Sequence, residues 1–143
     1  MAMQERTRGF TLIELMIALV IVAILAGIAV PSYRNFVLRS HRIEATAALL
    51  KVAAAQEKFY LQNNTYTTNV GDVSGLAFTD TDSTDKFDTE NAWYEIKVTA
   101  ADDEAFTLTA TAKGDQTNDS DCTSFGLESS GKKTASTDKC WKK

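Results

Sequence analysis

The chain opens with a short polar leader, which is followed by an almost unbroken apolar run. Positions 10–30 contain one charged residue, Glu14. An apolar helix of about 20 residues spans the roughly 30 Å hydrocarbon core of a bilayer, so the run predicts a transmembrane helix. A carboxylate near the start of such a helix costs about 2.5–3.5 kcal/mol on insertion scales where it reaches the centre. This cost indicates a functional partner for Glu14.

The helical pattern continues past the apolar run to about residue 62. Segment 31–62 is rich in strong helix formers. Pro31 should bend this helix or remove one hydrogen bond, and Gly27 is a second position at which a bend is expected. Apolar side chains at helical spacing predict a face for a globular head: Ile43, Ala47, Leu50 and Ala54, with Leu49, Val52 and Phe59 on the adjoining side. Basic residues are expected to face solvent or a neighbouring chain: Arg39, Arg42, Lys51 and Lys58.

The second half of the chain changes to the period of β-strands. Turn-prone residues at 63–65 end the helix, and the polar stretch to residue 91 is expected to be loop with one short helix or strand. Alternating apolar and polar positions predict strands at 93–100 and 106–113, joined by a hairpin, and a third at 123–128. The predicted fold class is α+β, with a long N-terminal helix packed on a small antiparallel sheet of three to four strands.

The residues at the leader junction carry a family resemblance. The sequence R-G-F-T-L-I-E-L at positions 8–15 resembles the class III signal of type IV pilins and pseudopilins. The resemblance implies that prepilin peptidase cleaves after Gly9 and methylates the new N-terminal amine of Phe10. It also implies that Glu14 pairs with the N-terminus of a neighbouring subunit during assembly, and a buried ion pair suits such a role in setting register.

The same resemblance divides the chain into segments. They are a prepilin leader at 1–9, a transmembrane and filament-core helix at 10–30, the amphipathic half of that helix at 31–62, and a pilin-like head at 63–143. An ordinary secretory signal peptide has a shorter apolar core than this run. A plain membrane anchor leaves Glu14 without a role.

The cysteines indicate a disulfide in an exported head. The chain has two cysteines, Cys122 and Cys140, and their spacing does not suit a zinc site. In a small exported domain such a pair predicts a disulfide, which would stabilise the fold by roughly 3 kcal/mol through loop closure. The alternative is two reduced thiols. In the pilin family, segment 122–140 corresponds to the disulfide-bounded C-terminal region.

The distribution of charge bears on whether the chain binds DNA. The formal net charge of −4 argues against bulk binding of nucleic acid. The C-terminal tail nevertheless places lysines beside an aromatic ring, which suits a phosphate backbone and a stacked base. The candidate DNA contacts are Lys132, Lys133, Trp141, Lys142 and Lys143. The alternative is a solubilising end, or a surface that pairs with acidic loops of the next subunit.

No catalytic or metal-binding set can be assembled from the sequence. His41 is expected to be isolated and solvated, and no nucleophile set or phosphate loop is present. We therefore expect no enzyme activity, no cofactor and no metal. Acidic residues in two groups lack the EF-hand pattern and are expected to be solvated loop faces, with calcium binding as the alternative: Asp80, Asp82, Asp85 and Asp88, then Asp115, Asp119 and Asp121.

The residues and the resemblance together predict a structural subunit of a type IV pilus, serving twitching motility, adhesion or DNA uptake. Its expected partners are other pilin subunits, prepilin peptidase and the inner-membrane assembly machinery. It is expected in the inner membrane as a single-pass precursor and then in the extracellular pilus. Three alternatives stay open: a type II secretion pseudopilin, a DNA-binding competence pilin, and a monomeric membrane-anchored periplasmic domain.

Overall fold

The computed structural model describes residues 9–71, 75–78 and 85–142, and the chain forms two compact units, Met1–Phe36 and Val37–Lys143. One helix, α1 (Leu12–Asn63), is assigned across both. It begins and ends within two residues of the predicted bounds of 10 and 62. Pro31 lies inside this helix, and the predicted bend at Gly27 and Pro31 stays a prediction.

The first unit is the apolar part of α1. The most apolar window of this helix has a mean hydropathy of 2.9, and none of that window is buried by the rest of the chain. Large apolar side chains such as Ile17, Val20 and Ile24 are therefore more than half exposed. By length and composition, the described part of the chain has one helix that could cross a membrane.

The second unit contains a five-stranded antiparallel sheet in the order β1-β2-β3-β4-β5. The strands are β1 (Lys86–Asp88), β2 (Tyr94–Ala101), β3 (Phe106–Ala112), β4 (Ser124–Glu128) and β5 (Lys133–Ala135). Two short 3-10 helices cover Gly114–Asn118 and Asp138–Cys140. The α+β class is confirmed, but the strand number exceeds the three to four predicted. The two edge strands have three residues each, too few to show an alternating pattern.

The alternation predicted for the central strands is confirmed by their burial. Tyr94, Ile96 and Val98 of β2 are buried, as are the alternate positions of β3 that begin at Phe106. These side chains pack in one cluster with the buried face of α1. The head therefore has one core, formed between the second half of α1 and one face of the sheet.

The face of α1 that packs on the sheet differs from the predicted one. Its buried residues are Arg42, Ala45, Leu49, Val52 and Gln56. Ile43 and Leu50, which were expected in the core, are each 54% exposed, and Ala47 and Ala54 are also exposed. The prediction was correct for Leu49 and Val52, which are buried, and wrong for Ile43, Ala47, Leu50 and Ala54, because it considered apolar side chains only. The true face includes two polar residues, which can be buried because their polar atoms are hydrogen-bonded.

Gln56 shows how a polar side chain is accommodated in this core. It has no exposed surface, its Nε2 donates to the carbonyl of Thr67 at 2.5 Å, and its Oε1 accepts from the amide of Thr67 at 3.1 Å. The side-chain amide of Gln56 thus bonds both backbone groups of Thr67, as a residue in an adjacent β-strand would. This pair joins α1 to the chain segment that follows it.

Tyr94 lies at the centre of the core and also carries a polar group. Its hydroxyl donates to the carbonyl of Cys122 at 3.1 Å and accepts from Nε2 of Gln116 at 2.9 Å. Burial raises the pKa of Tyr94 to about 12, although the bond from Gln116 acts in the opposite direction. The neutral phenol is therefore the form that the folded head requires.

The location of the core can be tested with adjacent leucines of α1. Leu49→Ala should lower the free energy of unfolding by about 3 kcal/mol, since a fully buried leucine leaves a cavity. Leu50→Ala, its neighbour on the exposed side, should cost less than about 1 kcal/mol. Urea unfolding of the full chain in detergent, followed by tryptophan fluorescence, measures both. Equal losses for the two variants would contradict the packing.

Tyr94 predicts a loss of stability at alkaline pH. A phenol whose pKa is raised in the folded state stabilises the fold fully below its unfolded pKa near 10, and this contribution is lost as the pH rises towards about 12. Urea unfolding at pH 9 and at pH 11.5 should therefore show a steeper fall for the parent chain than for Tyr94→Phe, which cannot ionise. The same pH dependence in both chains would show that Tyr94 is not its source.

Candidate functional site

The N-terminal end of α1 is capped by three reciprocal hydrogen bonds between Thr11 and Glu14. The amide and hydroxyl of Thr11 donate to Oε2 of Glu14 at 2.9 and 2.8 Å, and the amide of Glu14 donates to the Thr11 hydroxyl at 3.3 Å. This is a capping box, in which the third residue of the helix reaches back to the capping residue. The T-x-x-E signature at positions 11–14 is the local signal from which this cap could have been predicted.

Glu14 is therefore already hydrogen-bonded within its own chain. Gly9 and Phe10 precede the helix, and Phe10 is 89% exposed. The rest of the leader lies outside the described residues. The structure thus places Gly9, Phe10 and Glu14 together at one end of an apolar helix.

The predicted disulfide joins Cys122 and Cys140, and both residues are buried. It attaches the C-terminal segment to the start of β4. Trp141, the next residue, packs edge-on against Phe125 of β4 with 5.5 Å between ring centroids. The tryptophan that the sequence suggested as an exposed DNA contact is thus partly buried against the sheet.

Arg42 forms a buried ion pair with Asp119. The Nε and Nη2 of Arg42 donate to the two carboxylate oxygens of Asp119 at 2.6 Å each, and Nη1 donates to the carbonyl of Lys139 at 3.2 Å. The bond to Asp119 raises the pKa of Arg42 more than desolvation lowers it. The expectation that Arg42 and Asp119 face solvent was wrong for both, because their attraction and hydrogen bonds offset part of the cost of burying the two charges.

His41 is also part of this contact between helix and head. Its ring stacks on Trp93 with 4.2 Å between centroids, and its Nδ1 lies 2.8 Å from Oε1 of Gln116. Nε2 of Gln116 donates to Tyr94 and Asp119, so its Oε1 is the acceptor and the histidine nitrogen donates. The expectation of an isolated, solvated His41 was therefore wrong.

Most described members of the two predicted acidic groups, namely Asp85, Asp88, Asp119 and Asp121, form ion pairs. Asp85 pairs with Lys97 at 2.6 Å, and Asp88 pairs with Lys113 at 2.7 Å. Asp80 and Asp82 lie outside the described residues. Within the described ranges, no group of three or more histidine, cysteine or acidic side chains could hold a metal ion.

The lysines of the C-terminal tail make internal contacts. Lys132 pairs with Glu128 at 3.1 Å, Lys142 with Asp138 at 3.7 Å, and Nζ of Lys133 lies 5.0 Å from the ring centroid of Trp141. Lys143, the remaining candidate DNA contact, lies outside the described residues. The two ion pairs are largely exposed and so contribute little to stability, which leaves these lysines free to exchange partners.

A shallow cavity of about 160 Å³ lies between this tail and the exposed side of α1. Ile43 and Leu50 form part of its apolar lining, and Lys133, Trp141 and Lys142 line the side towards the tail. Ile43 and Leu50, which the sequence assigned to the core, are thus part of an accessible surface. Their position there suits contact with another molecule.

Two family models match successive parts of the chain. The family model for "Type IV minor pilin ComP, DNA uptake sequence receptor" matches residues 31–126, which is more than half of the chain. The model for "Prokaryotic N-terminal methylation motif" matches residues 6–30.

Curated relatives agree with these matches. The chain is 46% identical over 61 residues to the "Type IV major pilin protein PilA" of Myxococcus xanthus, covering 43% of this chain and 28% of that protein. It is 35% identical over 77 residues to the "Type IV wide pilus major component PilA4" of Thermus thermophilus, covering 54% and 59%. A "Fimbrial protein" of Neisseria meningitidis is 37% identical over 67 residues, covering 47% and 39%.

The chain spans less than two thirds of the length of these relatives. The matches nevertheless include both the methylation motif and most of the head. The apolar helix, the antiparallel sheet and these matches agree, and the chain belongs to the type IV pilin family.

Proposed function

We propose that this chain is a structural subunit of a type IV pilus. It is made as a precursor with leader 1–9, held in the inner membrane by segment 10–30, cleaved after Gly9 and methylated on Phe10. It then polymerises through α1 into a fibre for twitching motility, adhesion or DNA uptake. The observation that carries this proposal is the Gly9-Phe10 junction with Glu14 in the first turn of an apolar helix that its own chain leaves exposed.

The exposed apolar surface supports polymerisation. Side chains of 10–30 would be costly to leave in water, and a bilayer or the helices of other subunits can cover them. Ile43 and Leu50 add exposed apolar surface on the head. Other pilin subunits are therefore the partners that the chain requires, and prepilin peptidase and the inner-membrane assembly machinery act before them.

Glu14 has a defined task in this scheme. Cleavage would give Phe10 an α-amine with a pKa near 8, which is positively charged at neutral pH. Within the described residues, the two bonds from Thr11 both go to Oε2 of Glu14. Its Oε1 can then accept from the Phe10 amine of a neighbouring subunit. In an apolar filament core such a pair is weakly screened and fixes the axial register.

The capping box allows the charge of Glu14 to be separated from its role at the helix start. Glu14→Gln keeps a side chain that can close the box but removes the charge. We expect it to insert in the membrane normally and to enter fibres at least about tenfold less, because the amine of the neighbouring subunit loses its counter-charge. Thr11→Val removes the cap and keeps the carboxylate, so it should enter fibres close to normally. Immunoblots of sheared fibres against whole cells measure both.

Mass spectrometry of the mature N-terminus is the companion measurement. A methylated Phe10 should be found in the parent chain and in Thr11→Val. An unmethylated, uncleaved chain would support the monomeric membrane-anchored domain and end the pilus proposal. Normal incorporation of Glu14→Gln would instead remove only the assigned role of Glu14. A processed chain that is absent from sheared fibres of pilus-producing cells would favour a type II secretion pseudopilin.

DNA binding is a second candidate function. It is favoured by the family whose model matches residues 31–126, which is described as a DNA uptake sequence receptor. Lys133, Trp141 and Lys142 form a basic and aromatic edge that suits a nucleic acid backbone and base. Their acidic neighbours Glu128 and Asp138 act against it.

Salt dependence tests the DNA candidate. If these lysines contact phosphates, Lys133→Gln with Lys142→Gln should weaken DNA binding and make the slope of log affinity against log salt shallower by about 2. Lys58→Gln with Lys97→Gln, which removes the same charge elsewhere on the head, should leave the slope unchanged. Equal affinity and slope in the parent and the tail variant would exclude the tail as a DNA contact.

A further inference from the structure

The guanidinium of Arg42 and the disulfide close almost the same loop of the C-terminal region. Arg42 bonds Asp119, three residues before Cys122, and the carbonyl of Lys139, the residue before Cys140. The disulfide joins cysteines 18 positions apart. The first, which we call the ionic closure, consists of the ion pair with Asp119 at one end of the loop and one hydrogen bond to the Lys139 carbonyl at the other. The second closure is covalent, and both hold the C-terminal segment against the head.

The ionic closure is well placed to act without the covalent one. Arg42 and Asp119 are 6% and 4% exposed, so solvent screens their attraction weakly. Their two parallel bonds of 2.6 Å form the bidentate geometry that makes arginine–carboxylate pairs strong. By contrast, the ion pair of Lys139 with Asp121, which spans the same loop, is exposed and contributes little.

The ionic closure and the disulfide affect each other because they restrain the same loop. Whichever forms first removes most of the conformational freedom that the second would otherwise have to remove. A loop already held by Arg42 brings the two thiols together, and this raises their effective concentration for each other.

We propose that Arg42 is the template for the disulfide. In the reduced chain, its bonds to Asp119 and to the Lys139 carbonyl dock the C-terminal segment and place Cys122 beside Cys140. The disulfide then locks an arrangement that already exists. The segment also stays docked when the disulfide is reduced.

The oxidation itself needs a disulfide reagent, for which we take oxidised glutathione. One protein thiolate attacks a glutathione sulfur, and one glutathione thiolate leaves as a mixed disulfide forms. The second protein thiolate attacks the protein sulfur of that mixed disulfide and releases the other glutathione. The two protein thiols are oxidised, glutathione disulfide is reduced to two thiols, and the protons pass from the cysteines to glutathione.

The test is the effective concentration of the two thiols in the full chain in detergent. It is measured at equilibrium with reduced and oxidised glutathione, by acid quenching, alkylation and mass spectrometry. Arg42→Met combined with Asp119→Asn removes the ion pair without leaving a buried charge, and the introduced amide oxygen can still accept from Gln116. We expect this pair of substitutions to lower the effective concentration at least about tenfold, the scale of charged hydrogen bonds.

Lys139→Gln is the matched control. It removes the exposed Lys139–Asp121 pair from the same loop but keeps the backbone carbonyl that Arg42 binds. Its effective concentration should stay within about twofold of the parent value, since exposed pairs are weak. An unchanged value in the Arg42 and Asp119 variant, or an equal fall in Lys139→Gln, would overturn the proposal.

A second measurement keeps Arg42 intact and so does not depend on the folding of its variants. In Cys122→Ser with Cys140→Ser, the nuclear Overhauser contact between the rings of Trp141 and Phe125 should persist. Loss of this contact would show that the ionic closure cannot hold the segment alone, and the proposal would fail. Persistence of this contact in the double serine variant is the result expected.

Discussion

The head depends on the packing of one helix stripe against one face of the sheet. Ala45, Leu49 and Val52 of α1 have no exposed surface, and they meet the inward side chains of the central strands. A domain of this size can bury only a small apolar area, and another side of the same helix remains exposed. The polar residues Arg42 and Gln56, at the two ends of the buried stripe, then tie it to the C-terminal region and to the segment after the helix.

The periodic patterns of the sequence correctly predicted the long helix and the central strands. The apolar run, the long helix and the alternation around Ile96 and Leu108 were all recovered, because each places many side chains in one pattern. Edge strand β5 was not predicted, and β1 was expected only as one short helix or strand before residue 91, since three residues carry almost no period. The helix face was misassigned because Arg42 and Gln56 were not counted among its buried residues, and only their distant partners make burial possible.

The candidate site also contains some features that local sequence could predict and others that it could not. The roles proposed for Gly9, Phe10 and Glu14 rest on fixed local spacing, which the sequence alone supplies. The bonds of Thr11 with Glu14 were equally local and could have been predicted from the capping-box signature. The pairs of Arg42 with Asp119 and of His41 with Gln116 could not, because they join residues more than 70 positions apart. No local pattern indicates which charged side chain will find such a partner.

The order of the sheet has a consequence for the order of folding. Each described strand pairs only with its neighbours in sequence, so β1 to β5 lie side by side in the order of the chain. Every strand after the first therefore finds a partner that precedes it directly, and none must wait for a segment from far along the chain. Cys140 follows the helix and all five strands, which can already have assembled when it is reached. A chain of this design can thus fold by adding one strand after another from its N-terminal side, with the covalent bond as the final step.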